Sequence, residues 1–227
     1  MIPKLIHKIW VGPNEDKLQY SQAWKTIFPH HTLVLWDNNT AGSYIKEMIT
    51  LLNGVPKYSF NFVSDMLRLL IIRDYGGIYL DHDVEIFKNF ENVLRGSKTF
   101  LTFQYPICDD PPNFKLGTKM VDILSNGIEN LYDGIHSGGV FINKSDYINA
   151  CFIVSEPNSP LITRAIELYV QNYLTEDRFK YPMSDWGYGP QVLSQSATEY
   201  SITLNGRTQS NDVVTVFERS LFHPLQG

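Results

Sequence analysis

The sequence predicts an α/β protein with a mixed, mainly parallel central sheet flanked by helices. Strand-like and helix-like segments alternate over the first 52 residues in the order strand, helix, strand, helix, and this alternation favours parallel strands joined by helices. Hydrophobic residues make up 43% of the 227-residue chain and charged residues 19%, which is an ordinary balance for a globular protein. A chain of this length can bury one sizeable core, so we expect a single domain over residues 1–227.

The first strand is predicted at residues 4–10, KLIHKIW, because polar and apolar residues alternate there. Pro3 precedes this segment, and the turn-forming residues Gly12 and Pro13 follow it. The same kinds of signal predict a helix at 15–28, a strand at 31–36 and a helix at 41–52.

Residues 60–75, FNFVSDMLRLLIIRDY, are predicted to form a buried helix because they are apolar on almost all sides. Gly76 and Gly77 supply the usual C-terminal stop signal. The next segment, GIYL at 77–80, is too short and too apolar for anything but a central strand, and it leads directly to Asp81.

The second half of the chain carries weaker signals that Pro and Gly interrupt. They predict a strand at 98–103, a strand pair near 137–144 and 149–156, a helix at 159–174 and a loop at 175–190. The helix opens on Ser-Pro, which suits an N-cap and a first helical position.

Composition argues against several classes of partner. A net charge of −5 and a pI near 5.6 do not provide the basic surface that nucleic acids require. Cys108 and Cys151 show no metal or redox spacing, which fits a reduced compartment. No apolar run reaches the roughly 18 residues of a membrane span, so we expect a cytoplasmic protein without a span.

Asp81 and Asp83 form a D-x-D pair directly after the predicted buried strand. In an extended segment their side chains point to the same side, and open α/β sheets bind ligands beyond the carboxyl ends of their strands. Two adjacent carboxylates repel each other unless a proton or cation lies between them. Mg²⁺ or Mn²⁺ would relieve that repulsion and hold a diphosphate, whereas a solvated acidic turn is the alternative interpretation.

Asp65 and Arg68 share one face of the predicted buried helix because they are spaced i, i+3. Buried charges need partners, and these two residues can serve each other as a structural ion pair. The alternative is that they hold hydroxyl groups of a polar ligand near the metal, since their helix leads into the strand that ends at Asp81.

The segment VSDMLRLLIIRDYGGIYLDHDV resembles the signature of DXD-type sugar-nucleotide glycosyltransferases. This family includes yeast Golgi α-1,6-mannosyltransferases and bacterial capsular-polysaccharide transferases, and it is related to the glucosylating domains of clostridial toxins. The stretches IPKLIHKIWVG and FPHHTLVLW fit the same family. The similarity is strong over about residues 2–85 and weaker at NACFIVSEPNSPL, GYGPQVL and FHP.

The resemblance implies a GT-A fold, which is a single Rossmann-like domain. Residues 1–105 would bind the nucleotide sugar, and residues 106–227 would form the acceptor side and C-terminal segment. The implied reaction moves a sugar from a UDP-sugar, or less favourably GDP-mannose, to a glycan or glycoprotein acceptor with retention of configuration. The implied cofactor is Mn²⁺ or Mg²⁺.

The resemblance also assigns roles at the metal. Asp83 would be the direct metal ligand, and Asp81 would contact the ribose or donor sugar and support the ion. His223 would be a third ligand, which suits Mn²⁺ better than Mg²⁺. Asp65 and Arg68 would bind hydroxyl groups of the donor sugar.

Further roles concern the donor and the reacting centre. Trp10 would lie against the nucleobase, with Val11 and Gly12 lining its pocket; core packing is the alternative for the indole. Asn149 and Asp185 are candidates to stabilise the sugar ring during transfer. Trp186 would stack on a sugar as part of a lid, with an ordinary packed loop as its alternative.

Two other functions remain open at the sequence level. IYLDHDV also resembles the first motif of haloacid-dehalogenase-type phosphatases, although that motif normally follows the first strand of its domain. A non-catalytic module that binds a sugar or nucleotide is the second alternative, and binding without turnover would identify it.

Overall fold

The computed structural model describes residues 1–12, 21–54, 60–81, 84, 86, 88–103, 148–175 and 188–218. Within these residues the chain forms seven strands and five α-helices. The strands are β1 (Leu5–Ile9), β2 (Thr32–Trp36), β3 (Gly77–Leu80), β4 (Thr99–Thr102), β5 (Phe152–Ser155), β6 (Gln209–Ser210) and β7 (Val214–Phe217). The helices are α1 (Ser21–Ile27), α2 (Gly42–Leu51), α3 (Phe60–Tyr75), α4 (Pro160–Leu174) and α5 (Tyr188–Glu199).

The described strands form one sheet in the order β2-β1-β3-β5-β4-β7-β6. β1 runs parallel to β2 and β3, and β4 runs parallel to β7. β5 is antiparallel to both β3 and β4, and β6 is antiparallel to β7. The α/β class with a mixed sheet is therefore confirmed, and the carboxyl ends of β1, β2 and β3 meet at one edge.

Helices cover both faces of the sheet, so the core has two layers. One layer packs α2, α3, α4 and α5 against the sheet and includes Tyr79 of β3. The other packs α1 against the opposite face and includes Ile78 and Leu80. Because side chains alternate along a strand, Tyr79 and the following Asp81 both point towards α3.

The turn between α3 and β3 requires two glycines. Gly76 and Gly77 have φ angles of +60° and +94°, a region that side chains other than glycine rarely adopt. A Cβ atom at Gly76 would lie 2.7 Å from the carbonyl oxygen of Ser155, and one at Gly77 would lie 2.7 Å from that of Leu5. The Gly-Gly pair therefore fixes where β3 enters the sheet and where Asp81 leaves it.

A buried histidine ties this turn to β1 and β2. His7 Nε2 lies 2.8 Å from the carbonyl oxygen of Gly76, and Trp36 Nε1 donates to His7 Nδ1 at 3.0 Å. A carbonyl only accepts, so the ring is neutral with its proton on Nε2. Burial lowers the pKa of His7 to about 4, although the Gly76 hydrogen bond partly opposes this shift.

Most predicted elements form close to their expected bounds. The helices expected at 41–52 and 159–174 and the strand expected at 98–103 each agree within two residues at either end. The prediction of a loop at 175–190 is wrong for Tyr188–Pro190, which begin α5; Pro190 fits there because the first turn of a helix needs no donor from its backbone. Residues 176–187, the strand near 137–144 and the start of the first helix lie outside the described residues.

None of the described helices is both long enough and apolar enough to cross a membrane.

Candidate active site

Asp81 lies at the carboxyl end of β3, where the sheet opens towards solvent. Its backbone N–H donates to the carbonyl of Cys151 at 3.1 Å, and its own carbonyl accepts from Val84 at 3.1 Å. Its side chain is 28% exposed, whereas the four residues of β3 before it are buried. The prediction that a buried strand delivers a carboxylate to this edge is therefore confirmed.

Arg68 of α3 connects the two described carboxylates. Its Nη2 pairs with Asp65 Oδ1 at 2.9 Å, and its Nη1 lies 3.2 Å from Asp81 Oδ1. The guanidinium also donates to the backbone oxygens of Ala150 at 2.7 Å and Ser64 at 3.3 Å. The predicted Asp65–Arg68 ion pair exists, and it extends to the D-x-D motif.

Tyr79 contacts both Asp81 and Arg68 of the same network. Its hydroxyl donates to Asp81 Oδ1 at 2.5 Å, and its ring lies 4.8 Å from the Arg68 guanidinium carbon, a cation–π contact. Burial, with the nearby Asp81 carboxylate, raises the pKa of Tyr79 well above its usual value although Arg68 opposes the shift. The hydroxyl is therefore a permanent donor that fixes the orientation of Asp81.

The charge states follow from this arrangement. Burial alone would lower the pKa of Arg68, but the neighbouring Asp81, Tyr79 and Asp65 raise it above its ordinary value, so the guanidinium remains charged. Burial raises the pKa of Asp65, while Arg68 and the backbone N–H of Gly189 act in the opposite direction. One buried cation thus neutralises much of the charge of two carboxylates.

Asp65 is held from its other side by α5. The backbone N–H of Gly189 donates to Asp65 Oδ2 at 2.9 Å, while Oδ1 pairs with Arg68. Among the described contacts of Asp81, by contrast, both side-chain contacts use Oδ1. Oδ2 of the partly exposed Asp81 takes part in neither of these described contacts.

The predicted nucleobase residues follow β1 at the same sheet edge. The N–H of Trp10 donates to the carbonyl of Trp36 at 2.8 Å, and Asn38 exchanges two hydrogen bonds with the backbone of Gly12, at 3.1 and 2.8 Å. Val11 is buried, whereas Trp10 is only partly buried. Full burial of the indole in the core, the alternative expectation, is not what the structure shows.

Phe60 adds an aromatic ring beside this segment. A Cβ atom at Gly12 would lie 3.6 Å from the Phe60 ring, and Phe60 itself is 56% exposed at the start of α3. Sequence reasoning did not single out Phe60, Tyr79 or Gly189. An aromatic residue at the start of an otherwise buried helix was the available signal for Phe60.

Asn149 lies beside the network but is engaged in local structure. Its Oδ1 accepts from the N–H of Cys151 at 2.8 Å, and its own N–H donates to the carbonyl of Thr102 at 2.8 Å. It immediately precedes Ala150, whose carbonyl binds Arg68. The structure therefore brings Asn149 to the edge of the site with one side-chain oxygen already occupied.

Four predicted site residues lie outside the described residues: Asp83, Asp185, Trp186 and His223. Two of the three expected metal ligands are among them. Accordingly, the described part of the chain contains no cluster of three or more His, Cys, Asp or Glu side chains that could hold a metal ion.

A family model covers the part of the chain that contains this network. Residues 14–101 match the family model described as "Glycosyltransferase sugar-binding region containing DXD motif". The match includes Asp65, Arg68, Asp81 and Asp83 and ends before β5.

Curated relatives carry related names. The inositol phosphoceramide mannosyltransferase 3 of Schizosaccharomyces pombe is 32% identical over 98 residues, covering 41% of this chain and 27% of that protein. The uncharacterized glycosyltransferase L373 of Acanthamoeba polyphaga mimivirus is 26% identical over 187 residues, covering 78% of this chain and 69% of that protein. The chain spans about a quarter of the length of the yeast relatives that it matches.

A solved structure, the PaToxG glycosyltransferase, superposes with a TM-score of 0.51 over 88% of this chain and 70% of that chain, at 18% identity. At this identity the similarity concerns the fold, and it supports the predicted GT-A architecture. Residues 14–101 thus match a DXD-type glycosyltransferase sugar-binding region, and the resemblance inferred from the sequence is confirmed.

Proposed function

We propose that the chain is a metal-dependent glycosyltransferase that moves a hexose from a UDP-sugar to a hydroxyl of a glycan or glycoprotein, with retention of configuration. The observation that carries this proposal is the buried Asp65–Arg68–Asp81 network at the carboxyl end of β3. It places a partly exposed carboxylate of the D-x-D motif at the edge where α/β sheets bind ligands. A buried cation and two carboxylates suit the recognition of sugar hydroxyls beside a metal.

The donor set fits a hard divalent ion. Asp81 is oriented by Tyr79 and Arg68 through Oδ1, so Oδ2 would be its ligand atom, and Asp83 and His223 would complete the ligands. Carboxylate oxygens suit Mg²⁺ and Mn²⁺, and a histidine nitrogen favours Mn²⁺. The bound ion would act as a Lewis acid that neutralises the departing diphosphate.

Separate groups of residues would bind the nucleobase and the sugar of the donor. Trp10, Val11 and Gly12 would receive the nucleobase, and Asp65 and Arg68 would hold hydroxyl groups of the sugar. An indole beside the base favours uridine, with UDP-glucose as the first donor to test. Two of the relatives are named as a mannosyltransferase and a mannosyl phosphorylinositol ceramide synthase, so GDP-mannose belongs in the same panel.

In a retaining transfer the acceptor would approach from the side on which the diphosphate leaves. The bond between the anomeric carbon and the diphosphate oxygen breaks, the acceptor oxygen forms the new bond, and the departing diphosphate receives the acceptor proton. Asn149 and Asp185 would stabilise positive charge on the ring, and Trp186 would cover the sugar.

The test is a thermal-shift panel of UDP, UDP-glucose and GDP-mannose with and without Mn²⁺, followed by an assay of donor hydrolysis. A ligand that binds only the folded state raises the melting temperature, so the true donor should do so most strongly with Mn²⁺. Asp83→Ala should abolish Mn²⁺-dependent hydrolysis, whereas Asp212→Ala, at an exposed position, should retain it. Donor hydrolysis by Asp83→Ala at the wild-type rate would refute the proposal. Donor binding by the wild type without any turnover would favour a non-catalytic module.

A further inference from the structure

The start of α5 is packed tightly against the carboxylate of Asp65. Gly189 is buried in the first turn of this helix, where backbone N–H groups have no acceptor within the helix. Its N–H donates to Asp65 Oδ2 at 2.9 Å, and the opposite oxygen of the same carboxylate pairs with Arg68 at 2.9 Å. Asp65 is therefore clamped between a helix terminus and a guanidinium.

This close contact between α5 and Asp65 is possible because residue 189 has no side chain. A Cβ atom there would lie 2.9 Å from both Cγ and Oδ1 of Asp65 and 3.0 Å from Cβ of Ala150. Carbon atoms in ordinary contact are about 3.5–4.0 Å apart, so either Asp65 or α5 would have to move. The carbonyl of Ala150 accepts a hydrogen bond from Arg68. A shift of Ala150 would therefore disturb a second contact of the guanidinium, besides its ion pair with Asp65.

Backbone conformation does not explain this glycine. Gly189 is helical and is absent from the positive-φ glycines of the described residues. Within a helix, alanine is intrinsically preferred over glycine by about 1 kcal/mol. The requirement at position 189 is therefore close approach to Asp65.

We propose that Gly189 is a positioning residue for recognition of the donor sugar: its missing side chain lets α5 hold Asp65, and through it Arg68, in the geometry that binds the sugar. This inference rests on the proposed function. Trp10 and Gly12 hydrogen-bond to Trp36 and Asn38, and Gly12 lies beside the Phe60 ring, so we expect binding of the nucleobase to tolerate a substitution at Gly189. Substitution at Gly189 should weaken recognition of the sugar while leaving that of the nucleotide intact.

The experiment compares UDP and UDP-glucose, each with Mn²⁺, in the wild type and Gly189→Ala. Displacement of a group by about 1 Å can cost roughly 100-fold in rate, so we expect kcat/KM for UDP-glucose hydrolysis to fall by about that factor while the Kd of UDP stays unchanged. The matched control is Gly42→Ala, which also lies at the start of a helix but has no atom within 4 Å of the added Cβ. It should behave as the wild type does.

A second comparison covers the case in which Gly189→Ala does not fold. Asp65→Ala removes the carboxylate that the new Cβ would meet at 2.9 Å and leaves only the 3.0 Å contact with Ala150, which a small shift relieves. Asp65→Ala and Asp65→Ala/Gly189→Ala should therefore have nearly the same Kd for UDP-glucose. Weaker UDP-glucose binding by the double variant would overturn the proposal, as would unchanged kcat/KM in a folded Gly189→Ala. A wild type that binds neither UDP nor UDP-glucose would instead overturn the proposed function, and this inference with it.

Discussion

Replacing Arg68 by methionine tests the buried network most severely, because it removes the cation and keeps much of the side-chain length. Asp65 is only 5% exposed and would keep the Gly189 N–H as its described partner, while Asp81 would lose its ion pair. Breaking a buried ion pair by removing one partner costs about 3–5 kcal/mol, since the remaining charge is left uncompensated. We therefore expect the free energy of unfolding to fall by about that amount.

The matched control is Arg164→Met on the surface of α4. Arg164 pairs with Glu167 and Glu199, but its side chain is 33% exposed, and exposed pairs contribute about 0.2–1 kcal/mol. Urea denaturation at neutral pH, with both variants measured against the wild type, gives the two costs directly. Equal losses of stability in the two variants would refute the conclusion that the Arg68 network is buried and compensated.

Two further predictions concern the hydrogen bond between Tyr79 and Asp81 and the protonation of His7. Tyr79→Phe removes the donor to Asp81, so the free energy of unfolding should fall by about 1.5–3 kcal/mol and calorimetry should show weaker Mn²⁺-dependent UDP binding. The control Tyr169→Phe loses a buried hydrogen bond to a backbone carbonyl and should leave UDP binding unchanged. Equal UDP binding by the two variants would contradict the role of Tyr79. The pKa of His7 falls from 6.5 in the unfolded chain to about 4 in the folded protein. The neutral ring therefore contributes its full stability above pH 6.5. Since one pKa unit corresponds to about 1.4 kcal/mol, about 3 kcal/mol of stability is lost as the pH falls to 4. His7→Gln should lack this loss in urea denaturation across that range, and an unchanged pH slope would count against a neutral buried ring.

The local pattern of the sequence was sufficient for the part of the site that lies on continuous elements. The i, i+3 spacing of Asp65 and Arg68 defined their ion pair, and the Gly-Gly stop followed by GIYL located Asp81. These features depend on the geometry of one helix and one strand, which periodicity reports directly.

The partners that come from distant parts of the chain could not be predicted in this way. Ala150 and Gly189 reach Arg68 and Asp65 across 82 and 124 residues of sequence, and backbone groups leave no signature in residue type. Strand order is a similar case, since β5 inserts between β3 and β4 only because of tertiary packing. β6, β7 and α5 also went unpredicted: β6 has no apolar residue, β7 has only four residues, and α5 carries Gly and Pro in its first turn.

The most direct test of the central claim is a crystal structure of the protein with Mn²⁺ and UDP-glucose. We predict that the ion binds the carboxylates of Asp81 and Asp83 together with diphosphate oxygens, and that the glucose lies against Asp65 and Arg68. A structure in which the ion and nucleotide sugar bind elsewhere, with the D-x-D carboxylates facing only solvent, would contradict the account.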